Sequence, residues 1–431
     1  MKQISIVGLG YIGLPTAIVA AQNGYKVSGF DIDKQKVEKI NTGDPTIVEP
    51  EIIQRLYKVL QDKSFSATTK LKRADCFIIS VPTPFFQENK VSDLSYVFDA
   101  AKRICSVINP GNLVILESTV PVGTTSKVAQ LIAEKSGLKL GIDLFVAHCP
   151  ERVLPGKIFE ELVCNDRIIG AVCSGSAKLA KNFYSKFVKG KITFTDDKTA
   201  EMVKLVENSS RDVAIAFANQ VASMCNKAGL NPHEVIEFAN NHPRVNILNP
   251  GCGVGGHCIA VDPWFLIETF PQNSELLKTA RHINDMRPDH IIKNVIKKVA
   301  AIKLEKKAKP NVLVLGLTFK PDVDDLRNSP ALQIAMALNK KSKTLNLAVC
   351  EPNILSDKLK KIGFENIMGL LQGVSWADII IILVNHKAFI PLKDLDVKDK
   401  VVLDTCGLLY KKRRDDFVFF AKSEKIHVDV I

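Results

Sequence analysis

Aromatic residues make up only 7% of this 431-residue chain, with two tryptophans. No zinc-finger, basic-zipper or aromatic RNA-binding signature accompanies its formal charge of +12, so nucleic acid is not an expected partner. The lysines are spread along the whole length, as on a simply basic surface or one that meets small anions. The ten cysteines never fall at CxxC spacing, which excludes a zinc ribbon and a dense disulfide framework and fits a reducing compartment. Among the eight histidines, only His148-Cys149 and His257-Cys258 bring two metal-ligating types close together, and no metal is expected. Apolar runs such as DIIIILV fall far short of the ~20 residues that span a bilayer. The first strand-like run, ISIVGLG, has no basic-then-apolar leader before it. The expected setting is therefore cytoplasmic, with no membrane contact. Low-complexity tracts are absent too, and 46% hydrophobic with 24% charged residues is ordinary for a soluble chain. The length suggests two or three domains.

What is present begins with ISIVGLGYIG, an apolar strand that runs into Gly8, Gly10 and Gly13 and then a helical segment. A second strand, KVSGFDID, carries Asp31 about 20 residues later, the spacing of a dinucleotide-binding βαβ unit. Gly8 permits the tight turn, Gly10 admits a pyrophosphate to the helix N-terminus, and Gly13 lets helix and strand pack closely. Asp31 suits the adenosine ribose hydroxyls and repels a 2′-phosphate, so NAD is the expected cofactor. Further strand-loop units, CFIISVPTP, LVILESTVPVGTT and LFVAHCPERVLPG, extend the sheet. Ligands lie beyond the carboxyl ends of such strands, which makes Thr83, Thr119, Thr125, Glu151 and Arg152 candidates for one site wall. Helix capping is an equal alternative for each.

From about residue 197 the pattern becomes a long helix in which Lys204, Asn208 and Arg211 share a narrow polar face. A ligand explains that stripe, and an exposed edge is the alternative. The stretch Asn246 to Phe265 then places Cys258 after four glycines in six residues, with Asp262 four positions on. Glycine allows close approach of backbone to a ligand; the competing reading is a tight turn with a buried thiol. A second long helical stretch spans 273–305. After LEKKAKP a new strand, NVLVLGLTFK, opens a further alternating series with only Gly316 of the glycine fingerprint. Its first loop carries Lys320 and Arg327 before a helix, a place for phosphate or merely surface charge. The expected fold is α/β: two Rossmann-like doubly wound domains joined by a long helical connector. Domains are expected at 1–196, 197–305 and 306–431, and the connector could double as a dimer surface.

Taken together, GLGYIGLP, VPTP, ESTVPVGTT, PERVLPG, EMVKLVENSSRDV, HPRVNILNPGCGVGGHCIAVDPWF and GLTFKPDVDDLRNSP resemble the nucleotide-sugar 6-dehydrogenase family, in order and nearly end to end. Around PERVLPG and HPRVNIL the chain looks most like the bacterial UDP-N-acetyl-D-mannosamine dehydrogenases of surface-polysaccharide synthesis. The resemblance implies a four-electron oxidation of a sugar C6 alcohol to a carboxylate with two NAD and one water. Cys258 is implied as the covalent nucleophile, with Lys204, Asn208 and Asp262 handling protons and the oxyanion, and Glu151 and Thr119 activating water. Tyr11, Ile12, Asp31, Thr83 and Thr125 are implied at NAD, and Arg152, Val153, Arg211, His242, Arg244 and Gly255 at the UDP-sugar. Residues Phe319 and Lys320 would hold nucleotide-sugar in a C-terminal UDP-sugar-binding domain, while Arg244 and Arg327 would reach a neighbouring subunit, which makes a homodimer the expected assembly. Asp404-Thr405-Cys406-Gly407 departs from the family pattern, which has a basic residue two positions after the aspartate, so Cys406 stays outside the expected site. UDP-N-acetylglucosamine and UDP-glucose are rival substrates. A two-electron hydroxyacid dehydrogenase and a non-catalytic NAD-binding regulator are rivals of other classes.

Overall fold

A computed structural model of the chain describes residues 1–410 other than Val48 and Gln87, and the backbone of Val428–Asp429. The strands form two sheets. In the first, β1 (Gln3–Val7), β2 (Lys26–Phe30), β3 (Phe65–Thr68), β4 (Cys76–Ile79), β5 (Asn112–Leu116), β6 (Leu144–His148), β7 (Arg167–Ala171) and β8 (Ile192–Asp196) lie in the order β3-β2-β1-β4-β5-β6-β7-β8. All neighbours are parallel except β6 and β7. The first six therefore follow the Rossmann order, in which the progression of strands across the sheet reverses between β1 and β4. Sequences such as CFII and NLVIL are buried at every position, as expected of parallel strands covered on both faces.

The second sheet contains β9 (Asn311–Leu315), β10 (Asn346–Cys350), β11 (Ile379–Ile382), β12 (Val401–Asp404) and β13 (Val428–Asp429), ordered β10-β9-β11-β12-β13 and wholly parallel. This is the other common doubly wound order, with its switch point between β9 and β11. The structure thus contains both Rossmann-like sheets expected from the alternating strand and helix signals.

Two compact units emerge, one of Met1–Glu207 with Trp264–Asn273 and one of Asn208–Pro263 with Ser274–Ile431. The long central helices, Asp197–Ala228 and Glu275–Lys306, supply most of the intervening segment expected as a connector. Within the second unit a buried polar cluster ties them together. Arg281 donates to Asp212 at 2.7 Å, Asn284 to the same carboxylate at 2.8 Å, and Asn219 to Asn284 at 3.0 Å. Such a cluster fixes helix register where apolar contacts alone would let the helices slide.

Candidate active site

The glycines after β1 each meet a different steric demand. Gly8 has φ +99°, and a Cβ there would stand 2.5 Å from the Ser80 carbonyl oxygen; a Cβ on Gly13 would stand 1.9 Å from that of Gly8. At Gly10 a Cβ would meet nothing within 4 Å. The turn is therefore closed by two glycines and left open at the third, where the helix N-terminus can receive a pyrophosphate. Ile12 leads directly into that helix, Gly13–Gln22. Asp31 accepts from Leu9 N at 3.0 Å and from Asp33 N at 3.0 Å, and pairs with Lys36 at 3.0 Å. These residues fit a nicotinamide dinucleotide. Replacing Asp31 by serine should raise the KM for NAD by about tenfold or more through the lost charged hydrogen bonds. Lys36 would then be free for a 2′-phosphate, so relative use of NADP should rise. Steady-state kinetics with both cofactors would measure this; an unchanged NADP-to-NAD preference would contradict the assigned role.

Other candidates of the first unit gather at the ends of its strands. Thr83 Oγ1 donates to the Thr119 carbonyl at 2.7 Å, which joins the VPTP and ESTVPVGTT loops. Tyr11 donates to Glu49, and Glu49 accepts from Gly156 N at 2.7 Å, which brings PERVLPG to the glycine turn. Arg152 pairs with Glu207 at 2.9 Å, and Val153 packs on the core beneath. Thr125 does not stand alone: Glu201, unremarked in the sequence, accepts from Thr125 N at 2.7 Å, Thr125 Oγ1 at 2.6 Å and Gly123 N at 2.5 Å. Its carboxylate thereby satisfies the start of the Thr124–Ser136 helix. Glu201 precedes Lys204 by three positions on the same helix face, a spacing that could have marked it. Lys204 is half-buried. Nearby His148 is fully buried, and burial first, with the Lys204 charge added, lowers its pKa to about 3.

Glu151 belongs to a buried cluster that the sequence did not announce. Its Oε2 accepts from Arg167 at 2.8 Å and its Oε1 from Arg152 N at 2.8 Å. Glu117 lies 4.0 Å from the same guanidinium and bonds Tyr184 Oη at 2.9 Å. One buried cation flanked by two buried carboxylates is neutral only if one carboxyl keeps a proton. Glu151 has the closer charge and a backbone donor, so the proton belongs to Glu117, whose pKa burial and then the Glu151 charge raise from 4.5 to about 7. A carboxyl raised on folding holds a proton that the unfolded chain has lost. Its stabilisation is thus complete below pH 4.5 and is lost as pH rises toward 7. Glu117→Gln should shrink the fall in Tm between pH 5 and pH 8 relative to wild type, read by calorimetry; an unchanged fall would remove the proton from Glu117.

In the second unit, Asn208 Nδ2 donates to Asp262 Oδ2 at 2.5 Å, and both side chains are buried. The Cys258 carbonyl accepts from Val261 N at 2.9 Å and Asp262 N at 2.8 Å, so a tight turn links the thiol to the first residue of the Asp262–Thr269 helix. Cys258 itself is exposed, contrary to the alternative of a buried thiol. The loop before it is anchored where Gly251 donates to Asn219 at 2.9 Å and accepts from Arg287 at 3.0 Å. Its glycines then lie against the loop after β9. A Cβ on Gly255 would stand 2.5 Å from the Asn328 carbonyl oxygen, and one on Gly256 would stand 2.8 Å from the Phe319 ring. Gly256 N also donates to the Arg327 carbonyl at 3.1 Å. The missing side chains thus make room for the Phe319 loop, a contact invisible in the sequence.

Lys320 extends over the Phe319 ring at 5.8 Å, and Arg327 pairs with Asp325 at 2.6 Å. Arg211 is exposed, as are His242 and Arg244, which lie together with Arg244 N 3.4 Å from His242 Nδ1. At the departure from the expected pattern, Asp404 accepts from Gly407 N and Leu409 N, both at 2.8 Å. It closes its own loop, and burial pushes the Cys406 thiol well above its ordinary range.

Comparison with known proteins agrees with these observations. Models of the UDP-glucose/GDP-mannose dehydrogenase family match as the NAD binding domain over residues 2–188, the central domain over 198–286 and the UDP binding domain over 313–411. A UDP-N-acetyl-D-mannosamine dehydrogenase of Campylobacter jejuni is 46% identical across 93% of this chain and 98% of its own. An NDP-N-acetyl-D-galactosaminuronic acid dehydrogenase of Ralstonia nicotianae is 44% identical across 96% and 97%. Among solved structures, the UDP-D-ManNAc dehydrogenase of Pyrococcus horikoshii superposes with a TM-score of 0.85 at 40% identity, covering 97% of this chain and 98% of that one. Two doubly wound sheets, a glycine turn closed onto Asp31, and matches running through all three segments make this chain a member of the UDP-glucose/GDP-mannose dehydrogenase family, an NAD-dependent nucleotide-sugar oxidoreductase.

Proposed function

We propose that the protein oxidises UDP-N-acetyl-D-mannosamine at C6 to the uronate. The observation that carries this reading is Cys258, exposed at the end of a glycine loop packed on the Phe319 loop, in a chain 46% identical to a UDP-N-acetyl-D-mannosamine dehydrogenase. Bound NAD supplies the oxidising power, two electrons at each of two steps. Lys204, through a water, accepts the proton of the C6 alcohol together with Asp262, and Lys204 and Asn208 stabilise the developing oxyanion. The Cys258 thiolate adds to the aldehyde carbon and forms a thiohemiacetal, whose oxidation leaves a thioester. Glu151, with Thr119, takes a proton from the water that cleaves this thioester; the carboxylate departs and the thiol is restored.

Remaining roles follow the same reading. Gly8, Gly10, Gly13, Tyr11, Ile12, Asp31, Thr83 and Thr125 serve NAD. Arg152, Val153, Arg211, His242, Gly255, Phe319 and Lys320 serve the UDP-sugar, while Arg244 and Arg327 act across a homodimer. Support for a dimer comes from Phe217 and Met224, which are 52% and 56% exposed one heptad apart on the Asp197–Ala228 helix. Sedimentation equilibrium giving a monomer at micromolar concentration would remove that part. Among the described residues no helix is long and apolar enough to cross a membrane. We place the reaction in the cytoplasm, where NAD and reduced thiols coexist, and its product in surface-polysaccharide synthesis.

The deciding experiment supplies purified protein with NAD and a panel of UDP-sugars, counts NADH and identifies the product. The expected result is two NADH per UDP-N-acetyl-D-mannosamine and a uronate. One NADH per sugar, or preference for UDP-glucose or UDP-N-acetylglucosamine, would overturn the assignment. The 44% identity to an NDP-N-acetyl-D-galactosaminuronic acid dehydrogenase makes the N-acetylgalactosamine nucleotide the second sugar to test.

A further inference from the structure

The second unit repeats the glycine-turn geometry of the first with one substitution of partner. In the first, Gly8 N donates to the Phe30 carbonyl at 2.8 Å, Leu9 N to Asp31 Oδ2 at 3.0 Å and Asp33 N to Asp31 Oδ1 at 3.0 Å. In the second, Gly316 N donates to the Cys350 carbonyl at 3.0 Å, Leu317 N to Glu351 Oε2 at 2.7 Å and Asn353 N to Glu351 Oε1 at 2.9 Å. Glu351 therefore occupies the position that a ribose-binding acid takes in a dinucleotide fold. Its carboxylate is already engaged: His386 Nε2 lies 3.2 Å from Glu351 Oε2, and the side chains of both residues are 0% exposed.

His386 follows β11 and so stands at the switch point between β9 and β11, where a doubly wound sheet opens its ligand crevice. The ring tautomer follows from its neighbours. Asp322 N donates to His386 Nδ1 at 3.0 Å, and Asn353 Nδ2 lies 2.9 Å from the same atom. Nδ1 must accept, so the ring hydrogen sits on Nε2 and points at Glu351. Asp322 has φ +58°, a left-handed conformation that is uncommon without glycine. Its side chain accepts from Lys387 N at 3.0 Å. The segment from Thr318 to Asp322 is thus tied at its far end to His386, and Thr318 Oγ1 at its near end lies 3.3 Å from the same ring. Between those ties lie Phe319 and Lys320, and against Phe319 lie the glycines that precede Cys258.

We propose that His386, oriented by Glu351, is a positioning residue that clamps the Thr318–Asp322 segment and thereby presents Phe319 and Lys320 to the nucleotide-sugar. The inference rests on the functional reading above. It also explains why the acid at this strand end is not free for a ribose: the imidazole has taken the hydroxyl's place.

The test uses the full-length chain with three variants. His386→Ala removes both ties. His386→Asn can put an oxygen near the Nδ1 position and keep the Asp322 bond, whereas His386→Gln can put a donor near Nε2 and keep the Glu351 and Thr318 contacts without the Asp322 bond. The expected result is a KM for the UDP-sugar raised about tenfold or more in the Ala and Gln variants, with kcat and the KM for NAD within about threefold of wild type. The Asn variant should return the KM to near the wild-type value. General loss of packing would move Tm and would not separate Asn from Gln in this way. Equal KM values for Asn and Gln, or a KM unchanged in Ala, would overturn the clamp; if the Ala variant is not recovered folded, the Asn and Gln pair decides alone. Calorimetric titration of wild type with UDP separates the two levels. Wild type that binds no UDP defeats the functional reading and this inference with it, whereas wild type that binds and variants that match it defeat this inference alone.

Discussion

Changing Cys258 to serine is expected to lower net formation of the acid by at least about 10³-fold, because an alkoxide is far less accessible than a thiolate near neutral pH. Chemistry at the level of the aldehyde does not need the sulfur, so the variant should retain exchange between alcohol and aldehyde. Quenched-flow product analysis, with NADH counted per sugar, distinguishes these two levels. The side chain is exposed, and exposed substitutions seldom cost more than ~0.5 kcal/mol. The loss should therefore occur without a change in Tm. Two NADH per sugar at the wild-type rate in Cys258→Ser would remove the thioester from the mechanism. A two-electron hydroxyacid dehydrogenase would be equally indifferent to the cysteine but would form one NADH per substrate, so the variant and the NADH count together separate the two reaction classes.

Features written in local sequence are legible from the sequence itself. Gly8, Gly10, Gly13 and Asp31 lie within one strand-turn-helix-strand unit, and backbone geometry dictates glycine at Gly8 and Gly13. Lys204 and Asn208 were visible as a helical stripe, since the period of 3.6 places them on one face. Arg211 illustrates the limit of that argument, because it belongs to the same stripe and is exposed. Periodicity reports a shared direction, and burial depends on what another part of the chain brings to that direction. Glu117, Arg167 and Glu201 escape it for this reason: their partners lie 16 to 101 positions away in sequence. His386 was missed for the same cause, 35 residues from Glu351. The glycines before Cys258 suggest room for a ligand by their density alone, and the structure adds that two of them make room for Phe319 and Asn328.

Glu151→Gln should arrest the reaction after the second oxidation, with kcat reduced by about 10²-fold or more, the usual contribution of a positioned general base. The amide can still accept from Arg152 N, as Glu151 does at 2.8 Å, so the loop geometry can survive while the basic oxygen is lost. Intact-protein mass spectrometry during turnover should then find an acylated Cys258, and proteolytic mapping should place the adduct on that residue. A slow variant with no adduct would assign water activation elsewhere. The same substitution makes an independent electrostatic prediction. The Glu151 charge is one cause of the raised Glu117 pKa. Removing it leaves Arg167 paired with a single carboxylate, so Glu117 should ionise at lower pH than in wild type. The decline of Tm with rising pH should weaken accordingly. A residue that merely supports the fold would alter stability and leave Cys258 unmodified, whereas loss of the base for hydrolysis traps the acyl enzyme; the shift of Glu117 tests the charge of Glu151 separately from its part in hydrolysis.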